Sequence, residues 1–208
     1  IHLITTSEGA RRAELCLLHP GQNWLSRLLQ DYSLPPIQFS RHSIRCIHSP
    51  SHPLDDIRTG ADNVVAADGL METVRQLTAD ADCALHVSLA GGRKTMGFFL
   101  GYALSLFGRP QDCLSHVLVS PPFESHPEFY YPTPQSRVIY TPPPSSQPLD
   151  TSTATVALAE IPFVRLRHGL PPALLAGRAS FSAAVDAAQS AFREPRLEFD
   201  CSSASARA

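Results

Sequence analysis

Residues 84–107 switch hydrophobic period within one short stretch, and this switch constrains the fold more than any other feature of the chain. Ala84 to Ala90 (Ala-Leu-His-Val-Ser-Leu-Ala) is a short apolar run closed by Gly91-Gly92, the pattern of a buried strand. Directly after it, Met96, Phe99, Leu100, Ala103, Leu104 and Phe107 recur at i, i+3, i+4, i+7, i+8 and i+11, which is one face of a helix. On its other side Gly97, Gly101 and Ser105 make a small-residue stripe that lets a second backbone approach closely. A strand that feeds a glycine turn and then an amphipathic helix is half of a βαβ unit.

The same alternation runs through the first two thirds of the chain. Ile1 to Thr5 reads as a strand, and Glu8 to Leu18 as a helix with Thr6 or Ser7 as its N-cap. Trp24, Leu25, Leu28 and Leu29 predict a short second helix that stops before Pro35-Pro36. A strand follows around Ser43 to His48, and Val64, Val65, Leu70, Val74 and Leu77 predict a helix over Ala61 to Leu77. Leu114 to Ser120 completes the series as a buried strand. Strands alternating with helices of this length imply an α/β fold with a mostly parallel sheet flanked by helices.

Beyond this core lies the proline run Thr141-Pro142-Pro143-Pro144-Ser145-Ser146-Gln147-Pro148, which can join neither a helix nor a central strand. The expected organisation is a core over 1–140, a Pro-rich linker or loop over 141–150, and a smaller C-terminal extension over 151–208 packed on the core. Within the extension, Ile161 to Leu166 is expected as a strand, Ser180 to Phe192 as a helix, Arg196 to Asp200 as a last strand, and the end from Ser202 as frayed.

Composition narrows the ligand. A hydrophobic share of 43% and a charged share of 17% are those of a globular domain, and no apolar run nears the roughly 18 residues of a membrane span. A formal net charge of −2 argues against a broad grip on duplex DNA or an anionic membrane, while leaving room for a small nucleotide ligand. The cysteines Cys16, Cys46, Cys83, Cys113 and Cys201 form no C-x-x-C pair and no disulfide framework, so the expected address is cytoplasmic. Because the chain opens at Ile1 inside an apolar run, further residues are expected upstream.

In a parallel sheet, ligands sit beyond the carboxyl ends of the strands. Three such loops are legible: Thr5-Thr6-Ser7-Glu8-Gly9, Ser88 to Thr95, and Ser120 to His126. The second is the most specific. Gly91 and Gly92 allow a tight turn with exposed N–H groups, the following helix dipole favours an anion, and Arg93 and Lys94 add charge. It is no Walker loop, because Ser88 and Arg93 stand where that motif needs glycine. Lys94 is the only lysine in a chain that otherwise carries its positive charge on sixteen arginines. A first-turn lysine opposes the dipole, a mild cost that a bound anion removes; the plainer alternative is a solvated lysine after a strand-ending turn.

The other candidates each have a structural counterpart. Thr5, Thr6 and Ser7 can contact a ligand or cap a helix, and Arg11 and Arg12 follow in its first turns. Asp55-Asp56-Ile57-Arg58 and Asp62-Asn63 can supply paired carboxylates or simply lead into a helix. Cys46, His48 and His52 match no zinc spacing, so neither a metal nor another cofactor is expected. Ser120 and His126 flank an aromatic segment, Phe123 to Tyr131, that either folds over a ligand or packs as a hairpin tip.

Several ordered segments together resemble the CRISPR-associated ring nucleases, small stand-alone CARF-domain proteins of type III CRISPR systems. They are residues 1–13, Leu54-Asp55-Asp56-Ile57-Arg58, Ala61-Asp62-Asn63, Ser88-Leu89-Ala90-Gly91-Gly92-Arg93-Lys94-Thr95-Met96 and Phe123-Glu124-Ser125-His126-Pro127, with Glu160 to Arg165 a weaker match. The resemblance implies a Rossmann-like homodimer that binds cyclic oligoadenylate, most often the tetra-adenylate, across its two-fold axis and opens the ring to switch off antiviral signalling. It places the family's lysine at Lys94. Members begin with a further strand and a Thr/Ser turn, so one strand and part of the pocket are expected to precede Ile1.

The implied chemistry needs no metal if a ribose 2′-OH is held in line with the adjacent phosphorus. Lys94 would stabilise the phosphoryl charge with the Gly92 and Arg93 N–H groups. Arg93 would bind phosphate, Ser88 and Thr95 would position the ring or shape the loop, and no general base is evident. Two other readings stay open: a sensor that binds the ring without cutting it, and an unrelated nucleotide or sugar-phosphate enzyme that would prefer a mononucleotide.

Overall fold

The computed structural model describes residues 1–89 and 91–193. β1 (Leu3–Thr5) leads into α1 (Ser7–Ala13), capped by Thr6, whose hydroxyl accepts from the Gly9 N–H at 3.4 Å. The helix expected over Glu8 to Leu18 ends its α-helical part at Ala13 and continues as one π-helical turn, Glu14–Leu18. α2 (Trp24–Asp31) starts where the Asn23 side chain accepts from the Ser26 N–H. β2 (Ile44–Cys46) pairs parallel to β1, with Leu3 opposite Ile44 and Thr5 opposite Cys46.

α3 (Gly60–Leu77) opens on a reciprocal capping box between Thr59 and Asp62. β3 (His86–Ser88) then crosses through α4 (Lys94–Phe107) to β4 (Cys113–Val119), again parallel. β5 (Val138–Tyr140) and β6 (Pro148–Asp150) form an antiparallel hairpin whose connecting loop is the proline run. β7 (Val156–Glu160) follows, then α5 (Pro172–Ala176) and α6 (Phe181–Arg193).

The strands do not join into one mostly parallel sheet. The two crossover pairs, β1–β2 and β3–β4, are parallel, but they belong to separate sheets, and β7 adds to β4 antiparallel. The fold is therefore mixed α/β with small sheets. The strand expected at Ile161 to Leu166 lies instead at Val156–Glu160, opposite Ser115 to Val119. Pro162 has no N–H to give a ladder, so pairing ends with the Ile161 N–H on the Leu114 carbonyl at 2.8 Å. The strand expected at Arg196 to Asp200, the end from Ser202, and Cys201 fall outside the described residues.

Two apolar clusters hold the helices to the strands. Met71 and Val74 of α3, Ala103, Leu104, Leu106 and Phe107 of α4, Val87, Leu114, and Ala184 and Ala188 of α6 make the larger one. α4 thus buries Met96, Ala103, Leu104 and Phe107 of the stripe its sequence period predicts, leaves Phe99 and Leu100 half-buried, and buries Leu106 from outside that stripe. Ile47, Leu54, Ala66, Leu70 and Met96 make the second, which seats the start of α4 against the 47–54 segment. A third, around Phe123, Ile139 and Ala154, belongs to the hairpin region. No described helix is long and apolar enough to cross a membrane.

Candidate functional site

The glycine turn has the geometry its sequence demands. Gly91 and Gly92 lie at φ +85° and +82°, the left-handed region that an L side chain enters only with strain. Two such residues in succession reverse the chain from the end of β3 into α4. Arg93 is the N-cap and Lys94 the first helical residue. The Arg93 side chain does not cap the helix, so the positive end of α4 is open to solvent. Gly91, Gly92, Arg93, Lys94 and Thr95 are all exposed, and Lys94 forms no ion pair with a described residue.

A cleft of about 710 Å³ borders this turn. It brings together Thr5 from the end of β1, Gly9 from α1, Ser88 from the end of β3, and Gly91, Gly92 and Met96. Deeper in, its walls are apolar, from Leu70 and Val74 of α3 and Leu100 of α4. The cleft runs the length of β1 and β3, from Ile1 and Ala84 to Thr5 and Ser88, and Gly91 and Gly92 border it at the carboxyl ends of the strands, while Arg93, Lys94 and Thr95 stand outside its lining.

Thr6 and Ser7 are spent differently from Thr5. Thr6 caps α1, and Ser7 donates its hydroxyl to Asp55 while its N–H bonds the Leu54 carbonyl at 2.8 Å. Arg12 pairs with Glu8 on the exposed face of α1.

Asp55 and Asp56 take no part in capping α3, whose capping box Thr59 and Asp62 close by themselves. Asp56 instead takes a two-pronged ion pair from Arg93, with Nε on Oδ1 at 3.0 Å and Nη2 on Oδ2, and a longer contact from Arg58 at 3.3 Å. The Arg93 guanidinium, then the Ile57 N–H and Arg58, hold the Asp56 carboxyl well below the usual carboxylate range, and Asp56 raises Arg93 in turn. Adjacent carboxylates thus reach two different loops. The sequence signal was available: Asp55 and Asp56 stand too far ahead of the Thr59-x-x-Asp62 box to belong to it.

Ser120 and His126 sit in the hairpin region, and neither lines the cleft. The Ser120 hydroxyl accepts from the Thr155 N–H at 3.0 Å. His126 is 8% exposed, with Nε2 bonded to the Tyr140 carbonyl at 2.9 Å and Nδ1 accepting from the Glu128 N–H at 3.2 Å. Trp24 stacks on Tyr130 at 4.5 Å and lies under Arg137, which fastens the Phe123 to Tyr131 segment to α2. These contacts give the segment a packing role. Cys46, His48 and His52 are not drawn together, and no group of three or more His, Cys, Asp or Glu side chains able to hold a metal occurs among the described residues.

The sequence model of the family described as CRISPR-associated protein NE0113 matches residues 1–193. The chain belongs to this CRISPR-associated family. The match spans the turn, the cleft and the hairpin region alike, so the NE0113-family assignment covers every candidate residue named above. No curated protein matches the chain. A role in CRISPR systems follows from the NE0113 match, and the resemblance of the chain's segments to CRISPR-associated ring nucleases is consistent with it.

Proposed function

We propose that this chain binds cyclic oligoadenylate, cyclic tetra-adenylate first, as a Rossmann-like CARF homodimer, and opens the ring. The observation that carries the proposal is the pair of left-handed glycines that delivers Lys94, which pairs with no described residue, to the open N-terminus of α4, in a CRISPR-associated chain. Exposed backbone N–H groups, a helix dipole and an ammonium together suit a phosphodiester. An RNA ring carries its own nucleophile. The ribose 2′-oxygen attacks the adjacent phosphorus as its proton passes to water, the P–O5′ bond breaks, and O5′ takes up a proton, leaving a 2′,3′-cyclic phosphate. Lys94 stabilises the charge gathering on the non-bridging oxygens, Arg93 binds a phosphate, and Thr5, Ser88 and Thr95 orient the ring.

The test is incubation of the purified chain with cyclic tetra-adenylate in the presence of a chelator, beside Lys94→Ala. Linear di-adenylate product, lost in the variant, supports a ring nuclease that works through Lys94. A ring that co-elutes intact with the protein makes it a sensor, and no binding removes cyclic oligoadenylate as the ligand. Preference for a mononucleotide would point to a different nucleotide enzyme.

A further inference from the structure

The segment from Leu54 to Arg58 is the one part of the candidate site whose contacts have no explanation in helix capping or core packing alone. Leu54 is 3% exposed and anchored in the cluster of Ile47, Leu70 and Met96, and its N–H bonds the Ile47 carbonyl at 2.8 Å. The segment is thus fixed to the core before its carboxylates begin. Asp55 then holds Ser7, at the end of the first loop, and Asp56 holds Arg93, at the start of α4. One rigid residue therefore sits beneath two adjacent carboxylates, each of which grips a different loop at the mouth of the cleft.

We propose that Asp56 is a positioning residue: its two-pronged hold on Arg93 fixes the guanidinium, and with it the Gly91-Gly92 turn, in register with the Thr5–Ser7 loop that Asp55 holds. This deepens the cyclic oligoadenylate reading and rests on it. Asp56 occupies the Nε and Nη2 edge of Arg93, and Nη1 makes no bond with a described residue. A guanidinium clamped along one edge keeps a donor for a phosphate oxygen and cannot swing away from it. Left unclamped, an exposed arginine samples many rotamers, and ordering it would fall on the reacting complex.

The clamp predicts a division of effects that a stabilising surface pair would not produce. Asp56→Asn removes a negative charge beside a phosphate site, so affinity for the ring is held or slightly improved. The rate of ring opening falls, by roughly tenfold to a hundredfold, because in-line geometry tolerates little misplacement. Because Asp56 acts through Arg93, adding Asp56→Asn to Arg93→Gln should cost nothing further.

Single-turnover cleavage and equilibrium binding of cyclic tetra-adenylate are to be measured for wild type, Asp56→Asn, Arg93→Gln and the double variant. Loss of rate at near-constant affinity, with no added loss in the double variant, supports the proposal. Additive losses, or a gain in affinity with the rate unchanged, overturn it. The Arg93 Nε–H resonance of 15N-labelled protein reads the clamp without any ligand. If that resonance is protected in wild type and unchanged in Asp56→Asn, the clamp is refuted whatever the ring does. If it is protected and lost as expected, yet wild type binds no ring, the cyclic oligoadenylate reading fails and the clamp itself stands.

Discussion

Gly9 and Thr5 approach so closely that no β-carbon fits between them: an ideal Cβ on Gly9 would overlap Thr5 Oγ1. The contact joins the first turn of α1 to the carboxyl end of β1, and both residues line the cleft. Gly9→Ala must therefore turn the Thr5 hydroxyl out of its place. Displacing one terminal hydroxyl is cheap, on the order of 1 kcal/mol for an off-rotamer side chain. The expected result is a small fall in Tm and a several-fold weaker hold on cyclic tetra-adenylate. Thr5→Val, which keeps the shape and drops the hydroxyl, should weaken binding alike if the oxygen itself meets the ligand.

His126 should matter for stability and not for the ligand. Both ring nitrogens are engaged inside the hairpin region, on the Tyr140 carbonyl and the Glu128 N–H. His126→Ala removes a buried ring together with its two hydrogen bonds, worth about 1–3 kcal/mol for the pair of bonds. Thermal unfolding should show this loss, while titration with cyclic tetra-adenylate should give a wild-type Kd. A weakened Kd at unchanged Tm would instead bring the segment to the ligand.

What the sequence disclosed and what it hid divide by range. α4 was legible because its burial pattern is local, and the structure hides Met96, Ala103, Leu104 and Phe107 as their spacing required. The glycine turn was legible for the same reason, since only glycine suits two successive left-handed positions. Sheet continuity was not legible: β1 and β3 each look like parallel strands, yet each pairs with one neighbour in a separate sheet, a choice made far away in the chain. β7 was misplaced by a few residues because the apolar run at Ile161 to Leu166 looked stronger than Val156–Glu160, although Pro162 breaks its ladder. The Asp56–Arg93 clamp joins residues 37 positions apart and leaves no periodic trace.

Acid should loosen the far end of the fold through Asp112. Arg109 is 6% and Asp112 1% exposed, and the pair closes the turn from α4 into β4, with Arg109 Nη2 on Asp112 Oδ1 at 2.8 Å and the Leu85 N–H on the same oxygen. Burial pushes the Asp112 carboxyl up, but the hydrogen bonds from the Arg109 side chain and backbone and from Leu85 outweigh it, and the net shift is downward. A carboxyl lower in the folded state than its unfolded value near 3.9 makes the unfolded chain bind more protons. Its contribution is complete above the ordinary carboxylate range and is lost as pH falls through the folded value. Asp112→Asn should cost about 3–5 kcal/mol at neutral pH by stranding Arg109, and should flatten the acid limb of a denaturation series.

The turn itself can be tested through chirality. A β-carbon at Gly91 would meet nothing within 4 Å, and one at Gly92 would meet only the flexible Met96 side chain, nearest at 3.5 Å. Space is therefore not what excludes a side chain there; the positive φ is. Gly91→Ala should cost about 1–2 kcal/mol of backbone strain and shift the Arg93-Lys94 segment, with ring opening falling further than stability. A D-alanine placed at Gly91 by chemical ligation has the same bulk and prefers positive φ. It should restore both the Tm and the cleavage rate of the wild type. Equal losses with the two enantiomers would mean that the turn must rearrange through other angles when the ligand binds, and that its ligand-free geometry is not the working one.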